Sequence, residues 1–539
     1  MKYASFLKHI TGLAAATSIA LLAAGPSLAA DQTITSQPWA TYDYKEKPVR
    51  GGYYRTATAT YIGKMNPNLW PVLDWISITY MYDRLFINDG EYKPSVSWLA
   101  KSMTYESPTV AIMKLREGVA FHDGSPFNAH SLKYQFEWIQ DKKNGAWTRG
   151  GLNPVKSIEV IDDYTLKWTL KFPWSGFEGM LATAAGYTLS MQALKKGDPP
   201  LAKHPVGTGP YIFEEAEPGN FLKMKRNPNW WFAKASGNPD MPYFDGYITY
   251  VIPEPATRLA SLRAGKLDGL TLDPHQYPQV KNDRNLKVYK QNLHRLTALW
   301  MNTTRGVLQD RKLRKAISHA IDRKALIAGV QFGLGREASA MYPDDHWGHN
   351  PNLKPVAYDP ALAKKLLADA GYADGLKISG HMYNTPQSTK LGAAIKGMLA
   401  KVGIDWEVDF LPPADATARR KKGDFDLTGG GWLYILDPDR LAHGTYHPKG
   451  GFNDGRSNNP EIIKLVEAGR KETDFKKRQQ IYWKLEETVY NDYQDVHLWW
   501  GVQAIAFREK VMGWDNDAYN KHKVSWWNSH QLWFNDGKQ

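Results

Sequence analysis

The stretch Gly429 to Arg440 reads GGGWLYILDPDR and has the richest chemistry in the chain. Glycines allow close backbone approach, Trp432 and Tyr434 offer flat faces with a polar tip, and Asp437 and Asp439 offer carboxylates. Two readings stay open: a strand ending in an Asp-Pro-Asp turn, or the floor of a binding site. His122 and Asp123, in FHDGS, could form an acid–base pair, although Asp-Gly is first of all a turn. GTGPY (Gly207 to Tyr211) superficially resembles a phosphate loop. Pro210 has no N–H to donate, and a strand pattern follows it, so a phosphate cradle is not expected. His346 and His349 are the nearest approach to metal-ligand spacing, and they fall in a Pro/Asp/Gly-rich loop. There is no G-x-S-x-G elbow, H-E-x-x-H helix, Walker A loop or G-x-G-x-x-G. No catalytic residue, metal or cofactor is expected.

The elements that must position these residues alternate along the chain. Gly51 to Asn68 has strand alternation before an Asn-Pro-Asn turn, and Val110 to Arg116 and Thr165 to Leu170 are strand-like. SITYMYDRLFINDGEYKPSVSWLAKSM suggests a helix, a turn and a further short helix. Leu132, Phe136 and Ile139 share one face of a helix in SPFNAHSLKYQFEWIQDKK. GPYIFEEAEPGNFLKMKRNPNWW predicts two strands and a turn, and TRLASLRAGKLDGL a short helix closed by Gly265. Asp310 to Gly329 is predicted as one helix. DPALAKKLLADAGY follows with Asp359 as cap, Pro360 in the first turn and Gly371 past the end. TKLGAAIKGMLAKVGI leads into a strand WEVDF, and PEIIKLVEAGRKE and FKKRQQIYWKLEETVYND are amphipathic helices. Interleaved strands and helices without internal repeat define a mixed α/β class in more than one domain.

The amino terminus has Lys2 and Lys8, an uncharged run Ile10 to Gly25, and small residues Ser27 and Ala29. That is the pattern of a secretory signal cleaved after Ala29, or one residue later. The run is shorter than the ~20 residues that span a bilayer, and Pro26 ends it. The mature chain of about 510 residues can bury cores for two or more domains. With Cys 0, an exported chain has neither disulfides nor the thiol a lipoprotein needs. A soluble periplasmic protein is expected. The net charge of +13 falls to +11 once the two signal lysines are removed. The cations are scattered, and the cluster ARRKKGD (Ala418 to Asp424) fits a solvated helix face better than a nucleic-acid patch. The 21 Trp and 29 Tyr exceed what a core ordinarily needs and suggest aromatic-lined recognition.

Single motifs are weak, but their order is not. MKLREGVAFHDGSPFNAHSLKYQFEW, VGTGPYIFEEAEPGNFLKMKRNPNWW, TRLASLRAGKLDGL, LWMNTTRGVLQDRKLRKAISHAIDRKALI, YDPALAKKLLADAGY and GGWLYILDPDR occur in series from about Gly51 to Gly513. This series resembles the extracellular solute-binding proteins of ABC importers in the peptide/nickel/opine-binding family, family 5. His130 stands where many members carry Asp, which implies a changed contact at the start of that helix. The resemblance implies a two-lobed, type II-like periplasmic-binding-protein fold with an inserted domain and a ligand cleft between lobes. Residues 30–75, 205–295 and 505–539 would form the first lobe, 76–204 the insertion and 296–504 the second lobe, after a signal of 1–29. It implies capture of a small or oligomeric solute and delivery to a membrane permease. A monomer with no nucleic-acid partner is expected. An exported α/β hydrolase, or a chemoreceptor or chaperone role without import, are the competing classes.

The resemblance also bears on the ligand. Peptide-binding members place an Asp for the α-ammonium where this chain has Tyr434, or Ile435 if aligned on the Gly-Trp pair. Dipeptide-type members place an Arg for the α-carboxylate where this chain has Met382. An ionic terminus buried without its partner costs several kcal/mol, so ordinary dipeptides are disfavoured. An opine, an oligosaccharide or a modified peptide fits better. The expected contacts are Trp432, Tyr434, Asp437, Tyr383 and Met382, with Trp70 facing them and Trp499 or Trp500 closing the cleft. For each aromatic, core packing is the competing role; for Asp437 it is a turn.

Overall fold

The computed structural model describes residues 44–60, 65–69, 79–88, 96–433, 437–514 and 530–537. Three larger sheets organise them. Tyr53–Thr58, Gly246–Val251, Phe221–Arg226 and Tyr211–Glu217 form a four-stranded sheet in that order, its first pair parallel. Ala100–Ser107, Val110–Leu115, Thr165–Leu170 and Val155–Asp162 form an antiparallel sheet in which buried and half-exposed residues alternate. Helix Ala129–Gln140 covers that second sheet with Leu132, Phe136 and Ile139, and the Phe136 ring meets Trp168 edge-on, 4.9 Å between centroids. Asn128 and Ser131 cap the helix reciprocally, and His130 Nε2 lies 3.5 Å from Asp163 Oδ1 at its start.

The third sheet has seven strands and spans the molecule. Its order is Gly269–Leu272, Asp495–Arg508, Leu286–Met301, Leu427–Leu433, Leu376–Tyr383 and Ile404–Leu411, with Gly335–Glu337 pairing on Asp495–Arg508. Leu376–Tyr383 and Ile404–Leu411 run parallel, joined by helix Pro386–Ala400, as a parallel pair requires a crossover. The strands Leu286–Met301 and Asp495–Arg508 are 16 and 14 residues long and pair antiparallel. Their register breaks between Asn292 and Leu296. Before the break, Leu286 packs with Leu259, Leu262 and Ala504; after it, Leu299 and Met301 pack with Val496, Leu498 and Ile317. These two strands thus tie together cores on both sides.

Most predicted elements are present, with four corrections. The helix expected at the start of SITYMYDRLFI ends, in its described part, at Thr79, and the chain turns at Tyr80 and Met81 into a short strand Phe86–Ile87 paired to Val96–Ser97. Asp310 to Gly329 is two helices, Arg311–His319 and Arg323–Gln331, because the Asp322 carboxylate accepts from Ala325 N at 2.9 Å and caps a new start. The further short helix expected after the Asn-Asp-Gly turn is, in its described part, extended chain, Val96–Ser97 and then Ala100–Ser107 paired to Val110–Leu115. The Asp-Pro-Asp turn is the start of a helix, Pro438–Tyr446, with Asp437 as its cap. The glycines of GTGPY serve a close approach: a Cβ on Gly207 or Gly209 would lie within 2.1–2.7 Å of the backbone of Tyr80 to Tyr82.

Candidate functional site

A cavity of about 1090 Å³ opens between two groups of elements. One wall comes from Trp147–Pro154 and from Phe172 to Thr183; the other from the seven-stranded sheet and helices Pro413–Lys422, Pro438–Tyr446 and Pro460–Lys471. The strand Leu427–Leu433 forms the floor through Thr428 to Trp432. The glycine run has a steric cause. A Cβ on Gly430 would sit 2.2 Å from the Trp300 indole, and one on Gly429 would sit 2.9 Å from Met382 Cε. Large side chains of the two neighbouring strands lie across the glycines of this floor.

Two arginine–aspartate pairs are built into the walls. The Arg420 guanidinium lies over the Trp300 ring at 5.3 Å, donates from Nη1 to Tyr383 Oη at 3.0 Å, and places Nε 3.0 Å from Asp454. Burial raises the Asp454 carboxyl above its ordinary range, and the Arg420 charge opposes that rise. At the second pair, Arg470 Nε lies 3.0 Å from Asp439, whose other oxygen accepts from Trp174 Nε1 at 2.8 Å. Arg470 also stacks over Phe172 at 5.4 Å. Arg440 lies 5.7 Å over the Trp147 ring from the opposite wall. His443 is pushed down to about 3 by burial, then by Arg470 and His447, so its ring is neutral at physiological pH.

The walls also touch directly. Ser175 N donates to Arg470 O at 2.9 Å, and Ser175 Oγ reaches Gly469 O at 3.0 Å. Gly179 packs where a Cβ would lie 2.5 Å from Asp437 Cβ.

The residues expected at a site divide into three groups. Trp432, Met382, Tyr383 and Trp499 line the cavity. Trp70 and Tyr434 lie outside the described residues. Asp437 and Trp500 are placed elsewhere. Asp437 is 4% exposed and gives both oxygens to Arg478, at 2.7 and 2.9 Å, while Oδ1 also caps Asp439 N at 2.9 Å. It serves as helix cap and as the countercharge of Arg478. Trp500 is fully buried among Tyr342, Tyr446 and Tyr482, because consecutive strand residues face opposite sides and Trp499 takes the cavity side.

Trp147, Trp174, Trp300, Arg420 and Arg470 were not anticipated. Arg420 was hidden in the ARRKK run: its neighbour Arg419 pairs with Asp409 and Asp424 on the exposed side, as a solvated face would. Arg470 carried no local signal at all.

The acid–base and metal candidates are also accounted for. His122 Nε2 meets Gly209 O at 3.0 Å, burial lowers the ring to about 4, and Asp123 accepts from Ser125 and Ser190. His349 Nδ1 lies 3.1 Å from Glu486. Among the described residues no group of three or more His, Cys, Asp or Glu is placed to hold a metal, and no helix is long and apolar enough to cross a membrane.

A large aromatic cavity between two cores, spanned by two long strands, defines a two-lobed binding protein for a solute of modest size. The chain belongs to the bacterial extracellular solute-binding proteins of family 5, whose middle-region model matches residues 95–453. It is 29% identical over 430 residues to the glutathione-binding protein GsiB of Pectobacterium atrosepticum, covering 76% of this chain and 81% of that protein. The periplasmic binding protein DppA of Helicobacter pylori, solved with the peptide STSA, superposes with a TM-score of 0.77 at 26% identity, covering 90% of this chain and 98% of that one. AgaA of A. tumefaciens R10, solved with agropinic acid, superposes at 0.75 with 23% identity, covering 90% and 99%, and shares the fold. The family is one of binding proteins, and its members serve as the solute-binding components of ABC transporters.

Proposed function

We propose that this protein is exported through a signal peptide cleaved after Ala29, captures a small polar organic solute between hinged lobes, and delivers it to an inner-membrane ABC permease. It does so as a monomer and without chemistry of its own. The observation that carries this reading is the 1090 Å³ cavity between the Trp147–Thr183 wall and the seven-stranded sheet. Its volume is at the top of the roughly 300–1,000 Å³ typical of small-molecule sites, which favours a solute larger than a dipeptide. The first lobe comprises 30–75, 205–295 and 505–539, the insertion 76–204, and the second lobe 296–504. The register break between Asn292 and Leu296, on a strand that crosses the proposed boundary, supports that division. Trp432, Tyr383, Met382 and Trp499 are proposed ligand contacts. Met382, buried and apolar where dipeptide-type relatives are expected to carry Arg, supports a ligand other than an ordinary dipeptide.

A thermal-shift screen of the mature protein against opines, oligosaccharides and peptides tests the reading. Binding stabilises by about 2.7 kcal/mol at a hundredfold excess over Kd, so a true ligand raises the melt visibly. The ligand reading is wrong if unmodified dipeptides give the largest shift. Trp432→Ala should weaken binding, and unchanged affinity removes Trp432 from the site.

A further inference from the structure

We infer that the cavity selects anionic organic solutes bearing at least one carboxylate, and that Arg420 and Arg470 are the residues that determine this. The inference rests on the cavity being the solute site. Among the described residues, its wall carries Arg295, Arg420, Arg440, Arg470 and Lys449 against only Asp439 and Asp454. Both carboxylates are already engaged, Asp439 by Arg470 and Trp174, and Asp454 by Arg420. A ligand's ammonium group or a bound metal cation therefore finds, in the described wall, no carboxylate without an arginine already beside it.

The two arginines are prepared for an anion. Their side chains are 16% and 15% exposed, so each guanidinium is largely withdrawn from water. Each approaches its aspartate most closely through Nε, and neither Nε meets hydrogen-bond geometry. Arg420 uses Nη1 on Tyr383, and Arg470 makes no hydrogen bond to a described residue through either Nη. A largely buried guanidinium with unused donors gains most from a carboxylate, which its planar fork meets with two parallel bonds. Trp300 under Arg420 and Phe172 under Arg470 hold the two planes in place, so little ordering remains to be done on binding. The two arginines stand on different helices, Pro413–Lys422 and Pro460–Lys471, and Arg470 stacks on a residue of the opposite wall. An anion bridging to Arg470 thus engages the group that already links the walls.

The test uses the mature protein and yeast extract separated on an anion exchanger at neutral pH. The retained fraction is expected to raise the melting temperature, and the flow-through is not. A shift from the flow-through equal to or above that of the retained fraction overturns the anionic selection and leaves the solute-binding reading standing. No shift from either fraction removes the solute-binding reading along with this one. The active compound, isolated from the retained fraction by native mass spectrometry, is then titrated into variants. Arg420→Gln and Arg470→Lys should each weaken binding by about tenfold or more, since lysine keeps the charge beside Asp439 but loses the fork. Unliganded, Arg470→Lys should melt close to the parent because it keeps a charge beside Asp439, whereas Arg420→Gln leaves the buried Asp454 without its countercharge and should melt lower, so both affinities are titrated well below the melts. Unchanged affinity in both overturns the assignment of these arginines.

Discussion

Replacing Gly430 with alanine inserts a methyl group into space that the Trp300 indole occupies. The added carbon would stand 2.2, 2.3 and 2.5 Å from three ring atoms, where carbon contacts prefer about 3.5–4.0 Å. The ring must withdraw by more than about 1 Å, yet Trp300 is 6% exposed. Overpacking of this kind costs about 1–3 kcal/mol, and the depth of overlap places Gly430→Ala in the upper part of that range. At about 2–4 °C per kcal/mol for a domain of 150–250 residues, the melt should fall by several degrees. Binding should fall as well, because the displaced ring is the one beneath Arg420. Gly451 supplies the control: it lines the same cavity, and a Cβ there meets nothing within 4 Å. Thermal denaturation and calorimetric titration of the two variants side by side decide the matter. If Gly430→Ala melts and binds as Gly451→Ala does, the account of the glycine floor is refuted.

Two further predictions concern charges behind the wall. Asp437→Asn leaves the Arg478 guanidinium, whose side chain is 6% exposed, without its countercharge, a loss of about 3–5 kcal/mol for a buried pair. The urea midpoint should therefore drop sharply; a normal midpoint with weakened binding would instead return Asp437 to the ligand. Burial pushes the Glu178 carboxyl up to about 7, against the opposing pull of the Tyr105 hydroxyl and Arg478. A raised folded-state pKa favours the protonated side chain, so its stabilisation is full below the ordinary carboxylate range and is lost as pH rises through 7. Glu178→Gln mimics the protonated form and should be close to neutral at pH 5 but relatively stabilising at pH 8, by at most about 3 kcal/mol. Calorimetric melts of both proteins at the two pH values check this, and a difference that does not grow with pH refutes it.

Local rules carried the sequence reading a long way wherever one element could be judged alone. Asp359, Pro360 and Gly371 bound the helix Pro360–Asp369 as expected: the carboxylate accepts from Leu362 N at 2.8 Å and Gly371 adopts φ +89°. Thr165–Leu170 emerged with the boundaries its alternation implied. The failures came where two local signals competed. The apolar stripe from Leu313 to Ile321 continues through Asp322, and periodicity outweighed the capping residue that in fact divides the helix. Around Trp98, apolar residues suited either period, and pairing with Val110–Leu115 chose the strand.

By itself, the amino-acid sequence determined the interleaved α/β order, the lack of cysteine and the series of segments that marks the family. Those properties depend on residues near one another in the chain. Only the tertiary structure decided which side chains face the cavity. Trp499 and Trp500 are adjacent, chemically identical and both buried, yet Trp500 packs among Tyr342, Tyr446 and Tyr482 while Trp499 faces the other side and borders the cavity. Asp437 is claimed by Arg478 from 41 residues away, and Asp439 by Arg470 from a neighbouring helix and Trp174 from the other wall. Helical and strand periods define faces but not what covers them, and ion pairs form between groups that only the packing brings together. The stretch GGGWLYILDPDR, read as a strand with a turn or as a floor, is in the fold a floor and a helix start, while the arginines that give the site its charge came from elsewhere in the fold.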